Sequence, residues 1–481
     1  MMRTIFLLVF LLAMQSAFGQ QPQSSFGASS QVCLNERTLF SNSSTGAVRF
    51  EWDFCQGDLS LTPSATSITN LAGSVTTGID VVFDGANWFG FVTSQNTNSV
   101  LRLDFGTSVD ATPTVVDLGN INGKTNLPTD IKIVEDNGNW YGFVYCLSSS
   151  LVTRIDFGTS LKNTTSSPTP ILAQYVINGA GSINGGFDMK KVGSTWVMVL
   201  TSNASYSVVN FSSITALPSA GDILSGIANP FAVNLGDIAL QKSNGNYYGY
   251  SVDFNNKSLH RLSFGSNIFS IPSISSLSVP VLANLSPYGI DIGEDNSNYT
   301  LVISTLQGEL VRVSLGSDLS ISSTSSSSLG TLSLLENNLK IKLIKDKSSW
   351  RAFTPSWATT KLFKISFPNA TCPGTFSPVI IQNSPIVSYT TAGLFAVTLR
   401  AFNGLGQFDE STKAIAVSSI LAPTIDFNYT SACVNTSNAF TPLPASLSLY
   451  NWNFGDGNAS AFPQPGHTYS STGDFSVSLI V

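Results

Sequence analysis

From Gly78 to Phe367 the chain repeats itself, and few folds tolerate such a repeat. Aromatic residues fall at Trp88, Trp140, Trp196, Tyr247, Tyr299 and Trp350, spaced by 52, 56, 51, 52 and 51 residues. A second series, Phe105, Phe157, Phe211, Phe264, Leu315 and Phe367, is spaced by 52, 54, 53, 51 and 52. Two independent markers that keep one period define a structural unit, not a chance resemblance. The clearest copies are Gly78–Ser108, GIDVVFDGANWFGFVTSQNTNSVLRLDFGTS, and Thr129–Ser160, TDIKIVEDNGNWYGFVYCLSSSLVTRIDFGTS. Each holds three strand-like runs parted by Gly, Asn and Asp turns. A weaker fourth run follows, as in Thr114–Leu118.

Four strands in some 50 residues make the blade of a β-propeller, and six units predict six blades. The sixth unit ends near Phe367 with little room for its own fourth strand. Thr62–Leu71, ahead of the first unit, resembles Thr112–Leu118 and is expected to complete the sixth blade. Such closure removes the exposed edges that an open array would present.

A second repeat lies outside the first. Cys33, Phe40, Trp52, Phe54 and Gly57 match Cys433, Phe440, Trp452, Phe454 and Gly457 at an offset of 400. Ser388–Leu399 matches Thr468–Leu479 at an offset of 80. The difference between the offsets is a 320-residue insertion in the first copy. Trp452-Asn453-Phe454-Gly455-Asp456-Gly457, then His467-Thr468-Tyr469, then Gly473–Leu479, resembles the PKD domain, an immunoglobulin-like β-sandwich. Trp and Phe alternate with polar residues there, as in a strand with one buried face, and Asp456-Gly457 is a tight-turn signal. The first copy keeps Trp52 and Phe54 but has Cys55 and Gln56 where the motif has Gly455 and Asp456.

The expected fold is therefore all-β. A six-bladed β-propeller is inserted in an immunoglobulin-like, PKD-type sandwich, and a second PKD-type sandwich follows. The boundaries are 1–19 for a signal peptide, 20–59 and 373–420 for the halves of the first sandwich, 60–372 for the propeller, and 421–481 for the second sandwich. Entry and exit of the insertion meet at the closed ring. A Cys55–Cys372 disulfide would fasten them; the alternative is two free thiols. The pairing of Cys33, Cys146 and Cys433 is left open.

The amino terminus reads as a secretory signal: Arg3, the apolar run Ile5–Met14, and Ala17-Phe18-Gly19 before Gln20. No cysteine follows that site, so a lipoprotein anchor is not expected, and the run is shorter than the ~20 residues of a membrane span. No transmembrane segment is expected in the mature chain. Charged residues are 11% of the sequence, against about 25% in ordinary soluble proteins. The net charge of −6 leaves no basic stripe, and nucleic acid is an unsuitable partner.

Catalytic chemistry finds little support. The two histidines, His260 and His467, cannot form a zinc motif. His467 belongs to the sandwich motif, and His260 is expected at the surface. No GxSxG elbow is present. Gly119 to Thr125 resembles a P-loop but lacks the spacing and the helix. One constellation stands out: Asp80, Asp130, Asp188, Asp237 and Asp291 recur at the start of the first strand of five units, with Lys340 in the sixth. Such a ring of carboxylates could hold Ca²⁺ or a polar ligand. Alternatively, each carboxylate bonds backbone groups and fixes its own blade, which regular recurrence favours.

The PKD resemblance implies adhesion or a spacer role. The expected function is an exported, non-enzymatic surface protein that contacts a glycan or a protein and needs no cofactor. The alternatives are a propeller enzyme acting on extracellular polysaccharide and a passive stalk.

Overall fold

The computed structural model describes residues 22–54, 59, 61–71, 75–147, 151–163, 174–176, 185–295, 298–321, 324–331, 337, 339–346, 349–357, 360–368, 374, 379–404, 408–419, 425–430, 433–443 and 449–481. Cys55, Cys372 and the stretch 1–19 lie outside them, so the expected disulfide and signal peptide do too. Cys33, Cys146 and Cys433 are free thiols. The chain divides into two units, Met1–Ser418 and Ser419–Val481.

Within the first unit, the repeats build six four-stranded antiparallel sheets. Their innermost strands are Thr76–Phe83, Pro128–Asp136, Phe187–Val192, Leu235–Ser243, Pro287–Asp295 and Lys342–Asp346. Each lies beside the innermost strands of the sheets before and after it, and the sixth lies beside the first. The sheets thus form a closed propeller-like ring. Its last sheet takes its outer strand from the other end of the sequence. Ser64–Asn70 pairs antiparallel with Lys361–Ser366, from Ser64 opposite Ser366 to Asn70 opposite Lys361.

The period in the sequence is the period of the packing. Trp88, Trp196, Tyr247, Tyr299 and Trp350 are buried at the start of their second strands, and Phe105, Phe157, Phe211, Phe264 and Leu315 are buried at the ends of their third. The Gly that follows four of these, as at Gly106 (φ 72°) and Gly158 (φ 67°), is left-handed, a conformation glycine adopts without strain. Third strands also carry a clamp. Arg102 pairs with Asp104 at 2.6 Å and donates to the carbonyl of Leu161 at 2.9 Å in the next sheet. Arg154 repeats this with Asp156 at 2.6 Å and Thr215 O at 2.8 Å. Arg261 reaches Leu319 O at 3.1 Å. The ring closes with a charged variant, Arg351 and Lys364 both holding Asp110 at 3.0 and 2.8 Å.

The split sandwich is assembled from both sides of the insertion. Arg49–Asp53 pairs with Gly393–Phe402, which pairs in turn with Phe408–Ser418, and Gln31–Cys33 runs parallel to that last strand. Trp52, Phe54, Tyr389, Val397 and Leu399 share its core. Leu59, the last residue of the expected first half, packs instead with the ring, against Trp350 and Phe367. The sandwich meets the ring at the end where the first and second strands turn. Arg49 reaches the carbonyl of Gly85 at 3.4 Å, and Lys345 lies 3.9 Å from Asp53.

Several bonds of the first sandwich recur in the second unit. Trp52 Nε1 donates to Gln382 O at 2.9 Å, and Trp452 Nε1 to Phe462 O at 3.1 Å. Asn35 N donates to Tyr389 O, and Asn435 N to Tyr469 O. Phe40 N donates to Pro385 O, and Phe440 N to Pro465 O. Every pair keeps the offsets of 400 and 80. His467 stacks on Phe454 at 4.2 Å and bonds Asp456 at 2.7 Å, while Tyr469 donates to Phe454 O at 3.0 Å. Gly455 (φ 79°) admits no side chain: a Cβ there would lie 2.5 Å from Ser476 O. These contacts give the motif residues structural work in the sandwich.

Candidate functional site

The five recurring aspartates converge on the axis of the ring. They sit inside the innermost strands, beside a register shift in four of them. Such a bulge re-aims the side chains around it. All five are 3–8% exposed. In each, Oδ1 accepts the amide of the next residue: Val81 at 3.0 Å, Ile131 at 2.8 Å, and Met189, Ile238 and Ile292 at 2.9 Å. Each Oδ2 accepts an amide from the following sheet. Asp80 takes Ile133 N at 2.7 Å, Asp188 takes Leu240 N at 2.8 Å, and Asp291 takes Leu343 N at 2.8 Å. Asp130 takes Phe187 N at 3.0 Å and Asp237 takes Ile290 N at 3.4 Å.

These bonds alternate. In the first, third and fifth sheets the donor amide lies three residues past the neighbour's Asp (or Lys340). In the second and fourth it lies one residue before the neighbour's Asp. The lysines divide the same way. Lys340, 2% exposed, places its ammonium 3.1 Å from Asp237 and 3.7 Å from Asp130. Lys342 lies 3.3 Å from Asp291 and 3.7 Å from Asp80. Lys132 lies 3.4 Å from Asp188, with Lys190 at 3.9 Å. The axis thus holds two charge groups, one built on Lys340 and one on Lys132 and Lys342.

The electrostatics follow the grouping. Burial pushes the Asp130 carboxyl up to about 7 against the pull of Lys340, with Asp237 adding to the rise. Burial also raises Asp237, again opposed by Lys340. Asp188 goes the other way: burial would raise it, but Lys132 and Lys190 hold it at about 2. Burial works against the charge of Lys132, yet Asp188, Asp80 and Asp291 raise it well above the usual lysine range.

This arrangement does not fit a bound Ca²⁺. A hard cation needs carboxylate oxygens with free lone pairs. Here each oxygen already gives one lone pair to a backbone amide, and the ammonium groups of Lys132, Lys340 and Lys342 stand between the carboxylates and repel a further cation. Gly186 shows how tightly: a Cβ there would meet Lys340 Nζ at 2.1 Å and Asp237 Oδ1 at 2.3 Å. The aspartates instead tie neighbouring sheets together.

The sequence pattern marked Lys340 but not Lys132, Lys190 and Lys342. Their signal was present: Asp130-Ile131-Lys132, Asp188-Met189-Lys190 and Lys340-Ile341-Lys342 place charges two residues apart, on one face of a strand. His260 differs from expectation as well. It is fully buried, bonds Ser258 at 3.0 Å and lies under the ring of Phe231. Its burial lowers its basicity.

The end of the ring remote from the sandwich has another character. Trp357 is 55% exposed there and Phe231 46%. Around them lie exposed amides, among them Asn96, Asn126, Asn203, Asn255 and Gln307. Asn98, Leu127, Asn203 and Lys257 hold left-handed backbone (φ 42–54°), which is uncommon for side chains other than glycine and asparagine.

A PKD domain family matches residues 422–481. No curated protein matches the sequence significantly. Among solved structures, the chain is similar to a DUF4623 family protein from Bacteroides eggerthii at 11% identity (TM-score 0.40; 73% of this chain, 83% of that one). The Cps50 (Swd1) β-propeller domain of Myceliophthora thermophila matches at 9% identity (TM-score 0.36; 64% and 100%). A GH43_1 enzyme from Xanthomonas citri matches at 10% identity (TM-score 0.35; 56% and 90%). At such distances no activity transfers to this chain. Among the described residues, no helix is long and apolar enough to cross a membrane.

Proposed function

We propose that this is an exported binding protein whose propeller-like ring takes a neutral glycan on the end remote from the split sandwich. The observation that carries this reading is the exposed indole of Trp357 among exposed side-chain amides at that end of the ring. An exposed aromatic face offers an apolar platform for sugar C–H groups, and amides supply paired donors and acceptors. The reading as a binder rather than a hydrolase rests on the axial carboxylates. Their oxygens are engaged by amides and lysines, so they are not available as a general acid and base at a glycosidic bond. Export is supported by Arg3, the apolar run Ile5–Met14 and Ala17-Phe18-Gly19, and by the PKD match.

The test is a glycan array probed with the full chain and with Trp357→Ala. The expected result is retention of a neutral oligosaccharide, weakened at least tenfold by the substitution. Retention that ignores Trp357 would overturn the placement of the site. Release of reducing ends from a bound polymer would overturn the non-enzymatic reading.

A further inference from the structure

Trp357 shares its end of the ring with a second exposed aromatic residue, Phe231. Phe231 lies in the connection from the outer strand of the third sheet, Ile223–Ala228, to the innermost strand of the fourth, Leu235–Ser243. Trp357 follows the second strand of the sixth sheet, Ser349–Pro355. In a ring of six, the sixth sheet faces the third. First and second strands of each sheet are antiparallel, so an innermost strand begins at the end where a second strand finishes. The two aromatic side chains therefore flank the mouth of the ring from opposite sides.

Exposed loops are ordinarily mobile, yet the one that carries Phe231 is pinned along its length. The buried side chain of Asn229 accepts the amide of Phe231 at 3.0 Å and donates to the Tyr206 hydroxyl at 2.9 Å. Tyr206 in turn bonds Ser251 at 2.6 Å. Asn256 donates to the carbonyl of Phe231 at 2.9 Å. The buried carboxylate of Asp253 accepts the amides of Val233 at 2.6 Å and Asn234 at 3.4 Å. Beneath the phenyl ring lies the fully buried imidazole of His260, tilted by only 15° from it at a centroid distance of 6.3 Å. With one face over that imidazole, the phenyl ring turns the other to solvent. Its exposure is thus built into the loop, and a platform ordered in advance spares a ligand the cost of ordering it.

We infer that Phe231 is a second sugar platform, and that the ligand is a chain of several sugars laid across the mouth from Trp357 to Phe231. This inference rests on the reading of Trp357 as the first platform. An aromatic face takes the apolar face of a sugar. A disaccharide covers one platform and stays on the larger indole. A longer chain reaches both, and joining two contacts in one ligand raises affinity far beyond either alone. The site thereby selects by chain length: it takes a linear oligosaccharide or polymer rather than a free sugar.

The test is calorimetric titration of the full chain with cellohexaose, xylohexaose, mannohexaose and maltohexaose, and with the matching disaccharides. The hexasaccharide that binds should do so at least tenfold more tightly than its disaccharide. Phe231→Ala should weaken the hexasaccharide at least fivefold and leave the disaccharide unchanged, whereas Trp357→Ala should weaken both. Phe231→Trp should keep the hexasaccharide bound, which separates a lost platform from a disturbed loop. Hexasaccharide binding that depends on Trp357 but ignores Phe231→Ala would overturn this inference alone. So would an equal loss at both lengths, which would put Phe231 beside Trp357 on the ligand rather than across the mouth from it. Binding indifferent to Trp357→Ala, or no binding of any of these sugars, would overturn the first reading and this one with it.

Discussion

Replacing Lys340 by methionine removes one charge from the axis of the ring and almost nothing else. The unbranched chain of methionine fills nearly the same volume. The ammonium it removes lies 3.1 Å from Asp237 and 3.7 Å from Asp130, at 2% exposure. Breaking a buried ion pair from one side leaves an uncompensated charge and costs about 3–5 kcal/mol. Here two carboxylates are left facing each other, so the upper part of that range is expected at pH 8. The cost must shrink in acid. Asp130 already stands at about 7 in the folded protein, against about 3.9 in an unfolded chain. Between those values the folded state holds the proton and the unfolded state does not, so this group's contribution falls as pH rises from about 4 to about 7. Without Lys340, both Asp130 and Asp237 shift further upward, and the fall continues above pH 7. Urea unfolding followed by tryptophan fluorescence gives the comparison. The midpoint of Lys340→Met should lie well below that of the parent at pH 8 and approach it at pH 5. Equal midpoints at pH 8, or a deficit unchanged between the two pH values, would refute the assignment of Lys340 as the cation of this group.

Other substitutions read the remaining contacts. Asp188→Asn should cost about 2–3 kcal/mol at pH 7, since a carboxylate held at about 2 stabilises the fold above pH ~4 and loses that contribution as pH falls through 2; the variant's unfolding midpoint should then be flatter between pH 5 and 2 than the parent's. Gly186→Ala drives a Cβ into Lys340 and Asp237, and should lower the melting temperature more than Gly193→Ala, where no atom lies within 4 Å of the added carbon but the backbone is left-handed. Arg154→Met should destabilise by about 1–3 kcal/mol through the unpaired Asp156 and the freed carbonyl of Thr215, and speed amide exchange at the seam between the second and third sheets. Deleting Ser64–Asn70 bares the edge of Lys361–Ser366, and should turn a monodisperse protein into one that aggregates.

The ring could be read from the sequence because its packing residues are large, apolar and placed one per sheet. Trp88 and Phe105 recur because the same hole recurs, and a 52-residue period needs no tertiary information to be seen. The strand Ser64–Asn70 was legible for a related reason: it resembles the outer strand of the first sheet. The charge network was only half legible. Asp80 and its counterparts repeat in register, but whether a carboxylate holds a metal or an amide depends on what faces it across the axis. Those partners are Lys132, Lys190, Lys340 and Lys342, which come from three of the six sheets. Their place opposite Asp188, Asp130, Asp237 and Asp291 is set by ring closure, which no local pattern records. His260 misled for the opposite reason. It sits beside Arg261 in a strand of alternating character, yet the loop carrying Phe231 folds over it.

The alternation along the axis follows from geometry once the lysines are placed. Six identical sheets would bring six carboxylates to one level, and like charges at such separations cannot all stay ionised in a buried site. Lys340 in the sixth sheet breaks that symmetry. It draws Asp130 and Asp237 towards itself, and their Oδ2 atoms bond the amides of Phe187 and Ile290, before the neighbouring aspartates. Asp80, Asp188 and Asp291 bond amides on the other side, next to Lys132 and Lys342. The ring is thus a sixfold repeat in packing and a three-and-three arrangement in charge. Ala239 stands in the fourth sheet where the second, third and sixth carry Lys132, Lys190 and Lys342. A lysine introduced by Ala239→Lys would bring a further ammonium to the level of Asp188 and Asp291.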